Sequence, residues 1–295
     1  MASTSTSALR AYLSMIKVEH SVFALPFAMV GMMYAPPTGW PGWRVFILIV
    51  LAMVSARSAA MAFNRIADRH IDAMNPRTAA RELPTGRISL SRAGLFLVIS
   101  CGLFFLAAAL LNELTLYLSP IALVVLLGYS YTKRFTSLCH LFVGLSLGLA
   151  PAAAWVAVTG EFSWTPALWI ASVTFWTAGF DVLYALQDEE FDRAHGIHSI
   201  PAWIGKSRAI FVSRAFHVIA VTALVAAGIV VGAGPSYFFG TVFVAGLLLY
   251  EQSLVRPDDL TNLNLAFFTL NGYVSVGFFL FCLADVLMKP TTGPS

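Results

Sequence analysis

The sequence predicts an all-α, polytopic membrane protein with nine transmembrane helices, on three observations. Of its 295 residues, 58% are hydrophobic and 11% charged, against about 45–50% and about 25% in an ordinary globular domain. The apolar residues gather into nine segments, near 15–35, 44–63, 93–111, 115–132, 138–158, 164–187, 207–231, 236–254 and 263–287. Each approaches the roughly 20 residues that a helix needs to cross the hydrocarbon core. None of them alternates as a strand would, and backbone groups in lipid must find partners within the protein, so a helical bundle is expected rather than a barrel.

Taken in order, the first segment is entered through "KVEHSVFALPFA", and its flank lacks the charged start, short apolar core and cleavage site of a signal peptide. The second runs into "NRIADRHIDAMNPRTAARELPTG", residues 64–86, where charge is concentrated in a chain that otherwise avoids it. The third and fourth are separated by a few polar residues, and the fourth closes on "YSYTKRFT". The fifth and sixth lead to a second acidic stretch, "DVLYALQDEEFDRAHGIHS", and the last three are nearly free of acids. Arg10, Lys17, Arg65 through Arg92, Lys133, Arg134, Arg193 through Arg208 and Arg256 fall on one set of loops, whereas the other set holds Arg44 and the tail Lys289. The positive-inside rule then places the N-terminus and the charged loops in the cytoplasm and the C-terminus outside. The net charge of +3 is an orientation signal and gives no basis for nucleic-acid binding. No linker interrupts the chain, which predicts one membrane domain over residues 1–295.

Asn64, Asp68 and Asp72 are spaced i, i+4, i+8, so they form one line if the second helix continues past the membrane edge. Like charges at that spacing destabilise a helix and ask for a cation. Mg²⁺ suits them, because it takes one or two carboxylates and completes its shell with water and substrate phosphates. An ordinary solvated helix end, paired with Arg65, Arg69 and Arg77, is the plain alternative. In the second stretch Asp181, Asp188 and Asp192 lie at offsets of 7 and 11 and return to one helical face. Two such lines facing each other suit a diphosphate held through Mg²⁺. Glu189 and Glu190 fall off that face and are expected in solvent. Arg57 is seven residues before Asn64, inside an apolar segment, where an arginine is a functional candidate. Lys17 enters the first segment, and Lys133 and Arg134 close the fourth, where positive-inside anchoring is the alternative to a phosphate-ligand role for Lys133.

Cys101, Cys139 and Cys282 form no CxxC pair and are expected to be small core residues. The histidines show no HxxxH or HExxH spacing, His195 and His198 are expected as polar loop residues, and no GxSxG, Walker A or dinucleotide-binding run occurs.

These motifs together resemble the UbiA superfamily of intramembrane prenyltransferases over nearly the whole chain. "NRIADRHIDAMNPRTAARELPTG" is similar to that family's NxxxDxxxD motif and following loop, "DVLYALQDEEFD" to its DxxYAxxDxxxD motif, "YSYTKRFT" to its YxxxKR signature and "KVEHSVFALPFA" to the start of its first helix. "DVLYALQDEEFDRAHGIHSIPAWIG" looks most like bacterial 4-hydroxybenzoate polyprenyltransferase-like members. Glu82 stands where many quinone-pathway members carry proline, and Arg65 where an acid is common.

The resemblance implies nine helices around a central cavity open to lipid, with a cytoplasmic cap from the loops after the second and sixth spans. It implies Mg²⁺-dependent transfer of a polyprenyl chain from a polyprenyl diphosphate to an aromatic acceptor in the bacterial inner membrane. The acceptor expected is 4-hydroxybenzoate in ubiquinone biosynthesis, with a dihydroxynaphthoate in menaquinone biosynthesis as the alternative. By matching position, Asn64, Asp68, Asp72, Asp181, Asp188 and Asp192 would bind the Mg²⁺–diphosphate. Arg57, Lys17 and Lys133 would contact diphosphate or acceptor, and Tyr129 and Tyr184 would line the cavity. A secondary transporter is the rival from another class, since intramembrane acids and arginines also mark ion paths. Here, however, the acids sit at segment ends rather than at the midplane. The membrane alcohol phosphotransferases are disfavoured because their DG and AR metal motif is missing.

Overall fold

The structure, a computed structural model, describes residues 10–17, 21–36 and 39–288. Residues 1–9, part of the flank read as lacking a signal peptide, positions 18–20 of the first-helix motif and the tail Lys289 lie outside it. A short helical stretch over 10–16 is followed by α1 (Ser21–Tyr34), α2 (Trp43–Met74), α3 (Leu90–Leu111), α4 (Glu113–Thr132), α5 (Cys139–Thr159) and α6 (Ala167–Ala185). After a 3₁₀ turn at Leu186–Asp188 come the short helices α7 (Glu189–Ala194) and α8 (Ile200–Ile204). The chain then forms α9 (Lys206–Val230), α10 (Pro235–Leu254), a π-helical turn at Leu265–Leu270 and α11 (Asn271–Met288). No strand occurs among the described residues.

Among the described residues, eight helices are long and apolar enough to cross a membrane: α2, α3, α4, α5, the α6–α7 stretch, α9, α10 and the π turn with α11. The first of the nine expected spans differs. Its helix, α1, has 14 residues, about 21 Å at 1.5 Å per residue, which is short of the roughly 30 Å hydrocarbon core. At the other extreme α2, with 32 residues, runs about 48 Å, so its C-terminal turns extend beyond the hydrocarbon. That excess length carries Asn64, Asp68 and Asp72.

Six helices close a ring of neighbours in the order α1, α5, α6, α9, α10, α11 and back to α1, while α2, α3 and α4 pack beside α5. The ring's interior is filled by an aromatic cluster of Phe23, Phe27, Trp169, Trp176, Phe180, Tyr237 and Phe278. Small residues allow the closest approaches. Gly144 and Gly148 of α5 form a GxxxG pair, and a Cβ on Gly144 would lie 2.1 Å from the carbonyl oxygen of Thr174 on α6. Helices in lipid gain little from apolar burial alone, so such backbone contact supplies the packing between them.

Polar groups buried in the ring are tied between helices. Trp176 Nε1 donates to Asn271 Oδ1 at 2.7 Å, and Asn271 Nδ2 donates to the carbonyls of Ala266 and Phe267 in the π turn. At the opposite end from the acid-rich loops, Tyr34 Oη and the Gly234 N–H both donate to Asp285 Oδ2. The latter bond places a carboxylate at the start of α10, where the helix dipole favours it.

Candidate active site

The acid-bearing end of α2 meets the loop that follows it. Asn75 caps the helix, and its Oδ1 accepts from the Arg77 N–H at 2.9 Å, an Asx turn that reverses the chain toward α6. Thr78 Oγ1 donates to the Asp72 carbonyl, and Arg81 Nη1 donates to Asp72 Oδ1 at 2.7 Å. Glu82 is buried and accepts from Ser14 Oγ at 2.7 Å, binding the loop to the stretch over 10–16. The residue that departs from the family pattern therefore holds the loop down.

The end of α4 supplies the cations. Lys133 Nζ donates to Asp68 Oδ2 at 2.6 Å, and Arg134 Nη2 donates to Asp68 Oδ1 at 3.2 Å. Asn64 Nδ2 donates to Asp68 Oδ2 and Ser130 Oγ. Asp68 and Asp72 are 1% and 3% exposed, which overturns the solvated-helix-end reading. Of the arginines that reading paired with acids, Arg77 makes such a pair, whereas Arg69 donates to the Ile66 carbonyl and Arg65 is buried.

The second acid set comes from three elements rather than one helical face. α6 stops at Ala185, the chain tightens into the 3₁₀ turn, and α7 restarts at Glu189. Asp181 therefore belongs to α6, Asp188 to the turn and Asp192 to α7. Offsets of 7 and 11 assume an unbroken 3.6-residue period, and the i→i+3 turn breaks it. Asp188 is clasped by Arg77, with Nε on Oδ1 at 2.9 Å and Nη2 on Oδ2 at 2.6 Å, and by Asn75 Nδ2 at 3.0 Å. Burial works against the Arg77 charge, but the Asp188 carboxylate outweighs it and raises the guanidinium above its ordinary range. Asp192 accepts from Ser199 Oγ at 2.8 Å. His140 Nε2 accepts from the Ile200 N–H, so the ring proton sits on Nδ1, which donates to Asp181 Oδ2 at 2.7 Å. Glu190 is exposed as expected, but Glu189 is buried and takes Arg193 Nη2 at 2.6 Å.

Asn64, Asp68, Asp72, Tyr129, Lys133, Asp181, Asp188 and Asp192 all line one cavity of about 210 Å³ between the ends of α2, α4, α5 and α6. Three expected residues are absent from its wall. Arg57 lies deeper in α2, in electrostatic contact with Tyr129. Lys17 follows the stretch over 10–16 as a turn residue with φ 51°. Tyr184 stands behind Arg77, accepting from its Nη1 at 3.4 Å and stacking on Phe267 with ring centroids 4.0 Å apart. The wall also holds Asn75, Arg77, Arg81, His140 and His198. The first three sit in the quoted "NPRTAAR" run, where position after the acids was the available signal. For His140 no spacing gave one.

Among the described residues no three His, Cys, Asp or Glu groups stand together as a ready-made metal centre. Each acid is instead turned to a donor of the chain. The donor chemistry still fits a hard cation: five carboxylates and two amides share one wall, and Asp72 Oδ2 is buried with no hydrogen-bond partner among the described residues.

A sequence profile described as the UbiA prenyltransferase family matches residues 24–280. The chain belongs to this family. It is 33% identical over 266 residues to the 4-hydroxybenzoate octaprenyltransferase of Vibrio campbellii, covering 89% of each chain. Among solved structures, an apo UbiA homolog from Aeropyrum pernix K1 is 36% identical with a TM-score of 0.83, covering 90% of this chain and 98% of that one. A UbiA homolog from Archaeoglobus fulgidus bound to GPP and Mg²⁺ shares the fold at 20% identity and a TM-score of 0.67, over 94% and 100% of the two chains. In this member of the UbiA family, the two acid sets meet across the helix ends, and Asn75 and Arg77, from the loop after the first set, clasp Asp188 of the second.

Proposed function

We propose that the protein is an Mg²⁺-dependent polyprenyltransferase of the bacterial inner membrane that prenylates 4-hydroxybenzoate in ubiquinone biosynthesis. In this reading it is one domain with its acid-lined cavity on the cytoplasmic side. The observation that carries the reading is the meeting of two carboxylate sets and Lys133 on one cavity wall, at the end of a helix bundle whose exterior is apolar. The names and bound molecules of its relatives support the same reaction class.

Asn64, Asp68, Asp72, Asp181, Asp188 and Asp192 would hold the metal ion, which supplies Lewis-acid stabilisation of the leaving diphosphate. The chemistry to be eased is heterolysis of an allylic C–O bond, which puts negative charge on the diphosphate and positive charge on the allyl group. Lys133, Arg77 and Arg81 bind diphosphate oxygens through charge-assisted bonds, and their present carboxylate partners keep them aimed at the cavity. Tyr129 places an aromatic face near the allyl group and helps exclude water. Tyr184 acts one step back by holding Arg77, and Arg57 by its contact with Tyr129.

The test is to incubate the purified protein in detergent with Mg²⁺ and a long-chain polyprenyl diphosphate, offering 4-hydroxybenzoate and dihydroxynaphthoates in parallel. Mass spectrometry should find prenylated 4-hydroxybenzoate. Product with a dihydroxynaphthoate alone would move the protein to menaquinone synthesis, and product with neither would overturn the acceptor class. A substrate-dependent proton current in proteoliposomes would instead favour the transporter.

A further inference from the structure

Three consecutive residues, His198 to Ile200, reach three parts of the wall of the acid-lined cavity. The His198 N–H donates to the Lys133 carbonyl at 2.7 Å, and the His198 carbonyl accepts from Cys139 Sγ at 3.3 Å. Ser199 Oγ donates to Asp192. The Ile200 N–H opens α8, where helix donors have no partner within the helix, and Ile200 is buried away from water. Its acceptor is His140 Nε2, at 3.2 Å.

His140 is the second residue of α5 and is buried. A neutral imidazole has one proton to place between two nitrogens. With Nε2 taken by a donor, the proton sits on Nδ1, and there it meets Asp181 Oδ2 at 2.7 Å. Asp68, Asp72 and Asp188 each have a lysine or arginine in ion-pair contact, whereas Asp181 has neither among the described residues. Its side chain is 26% exposed, and Oδ1 has no chain donor among the described residues. The direction of this carboxylate is therefore fixed by His140, in the tautomer that the bond from Ile200 selects.

We propose that His140 is a positioning residue for prenyl transfer: it takes the docking of residues 198–200 on one ring nitrogen and through the other holds Asp181, leaving Oδ1 for the metal–diphosphate. The inference rests on Asp181 belonging to the metal set of the proposed function. A carboxylate already held in place loses little freedom when the ion arrives, so the partner behind it contributes to affinity without touching the ion. Ser199 does the same for Asp192, and the His198 N–H ties down the end of α4 that carries Lys133. One short loop thus sets two acids and a cation in register.

The test uses the full chain in phosphatidylcholine nanodiscs, with Mn²⁺ as an EPR-visible probe and geranyl S-thiolodiphosphate as an unreactive substrate analogue. His140→Leu should weaken Mn²⁺ binding about 10–100-fold, the usual cost of losing a partner behind a ligand. The Mg²⁺ needed for half-maximal transfer should rise in step, with KM for 4-hydroxybenzoate unchanged. His140→Asn puts an amide N–H where Nδ1–H stands and offers nothing to Ile200. It should keep Mn²⁺ binding near wild type, while hydrogen exchange of the peptide over 197–204 speeds up. Wild-type Mn²⁺ binding in His140→Leu, loss of binding in His140→Asn, or unchanged exchange in His140→Asn would each overturn the assignment. So would a rise in KM for 4-hydroxybenzoate with Mn²⁺ binding intact. If His140→Leu does not fold, the two measurements on His140→Asn decide alone. Wild-type protein that binds no Mn²⁺ with the analogue would sink the metal site of the proposed function, and this inference with it. Wild-type binding beside an indifferent His140→Leu would sink this inference alone.

Discussion

Lys133 Nζ lies 2.6 Å from Asp68 Oδ2, joining the end of α4 to the end of α2 across 65 positions of sequence. Asp68 is almost fully buried, while Lys133 and its neighbour Arg134 keep about a third of their side-chain surface exposed. Neutralising the acid would thus leave two cations that can still reach water. Asp68→Asn should reduce prenyl transfer by at least about a hundredfold, the scale of losing one preorganised charge contact, while thermal unfolding stays close to wild type. Asp188→Asn should behave alike. Full activity in either variant would remove the acid sets from the mechanism.

Arg77 meets Asp188 through two parallel N–H···O bonds, a geometry that a lysine ammonium cannot reproduce. Because the pairing raises its proton affinity further, Arg77 stays charged throughout any usable assay range. Arg77→Lys should therefore raise KM for the prenyl diphosphate about tenfold with charge conserved. Steady-state kinetics at saturating acceptor would show it, and an unchanged KM would mean that charge alone matters there.

Metal removal gives a separate test of the donor set. Chelation with EDTA should abolish transfer and excess Mg²⁺ should restore it, because the cavity's five carboxylates are hard oxygen donors of the kind that ion prefers. The readout is product formation before and after adding the ion back. Transfer that persists after exhaustive chelation would sink the metal reading.

Packing between α5 and α6 yields a prediction independent of chemistry. A Cβ at Gly144 would press on the backbone carbonyl of Thr174, which cannot rotate away. Gly144→Ala should lower stability by about 1–3 kcal/mol, the usual cost of overpacking. Gly102→Ala, where a Cβ meets nothing within 4 Å, should leave the protein as stable or more so, by up to about 1 kcal/mol of helix propensity. Thermal shift in detergent compares the two.

Sequence by itself determined the all-helical membrane class, since 58% apolar content in long runs has few other solutions. It also determined that both acid sets belong to helix ends, because an i, i+4 spacing is a local property of the chain. What only the tertiary structure decided was partnership. Lys133 could be an anchor or a phosphate ligand by spacing alone, and it is the crossing of α4 with α2 that puts it on Asp68. The break at Leu186–Asp188 was illegible because it has no proline or glycine to mark it, and the groups that clasp Asp188, Asn75 and Arg77, lie more than a hundred positions away. His140 carried no motif at all, and became visible once α5 met α6. Periodicity fixes which residues share a face of one helix, whereas only the packing of helices, set here by glycines and by buried polar pairs, fixes which faces meet.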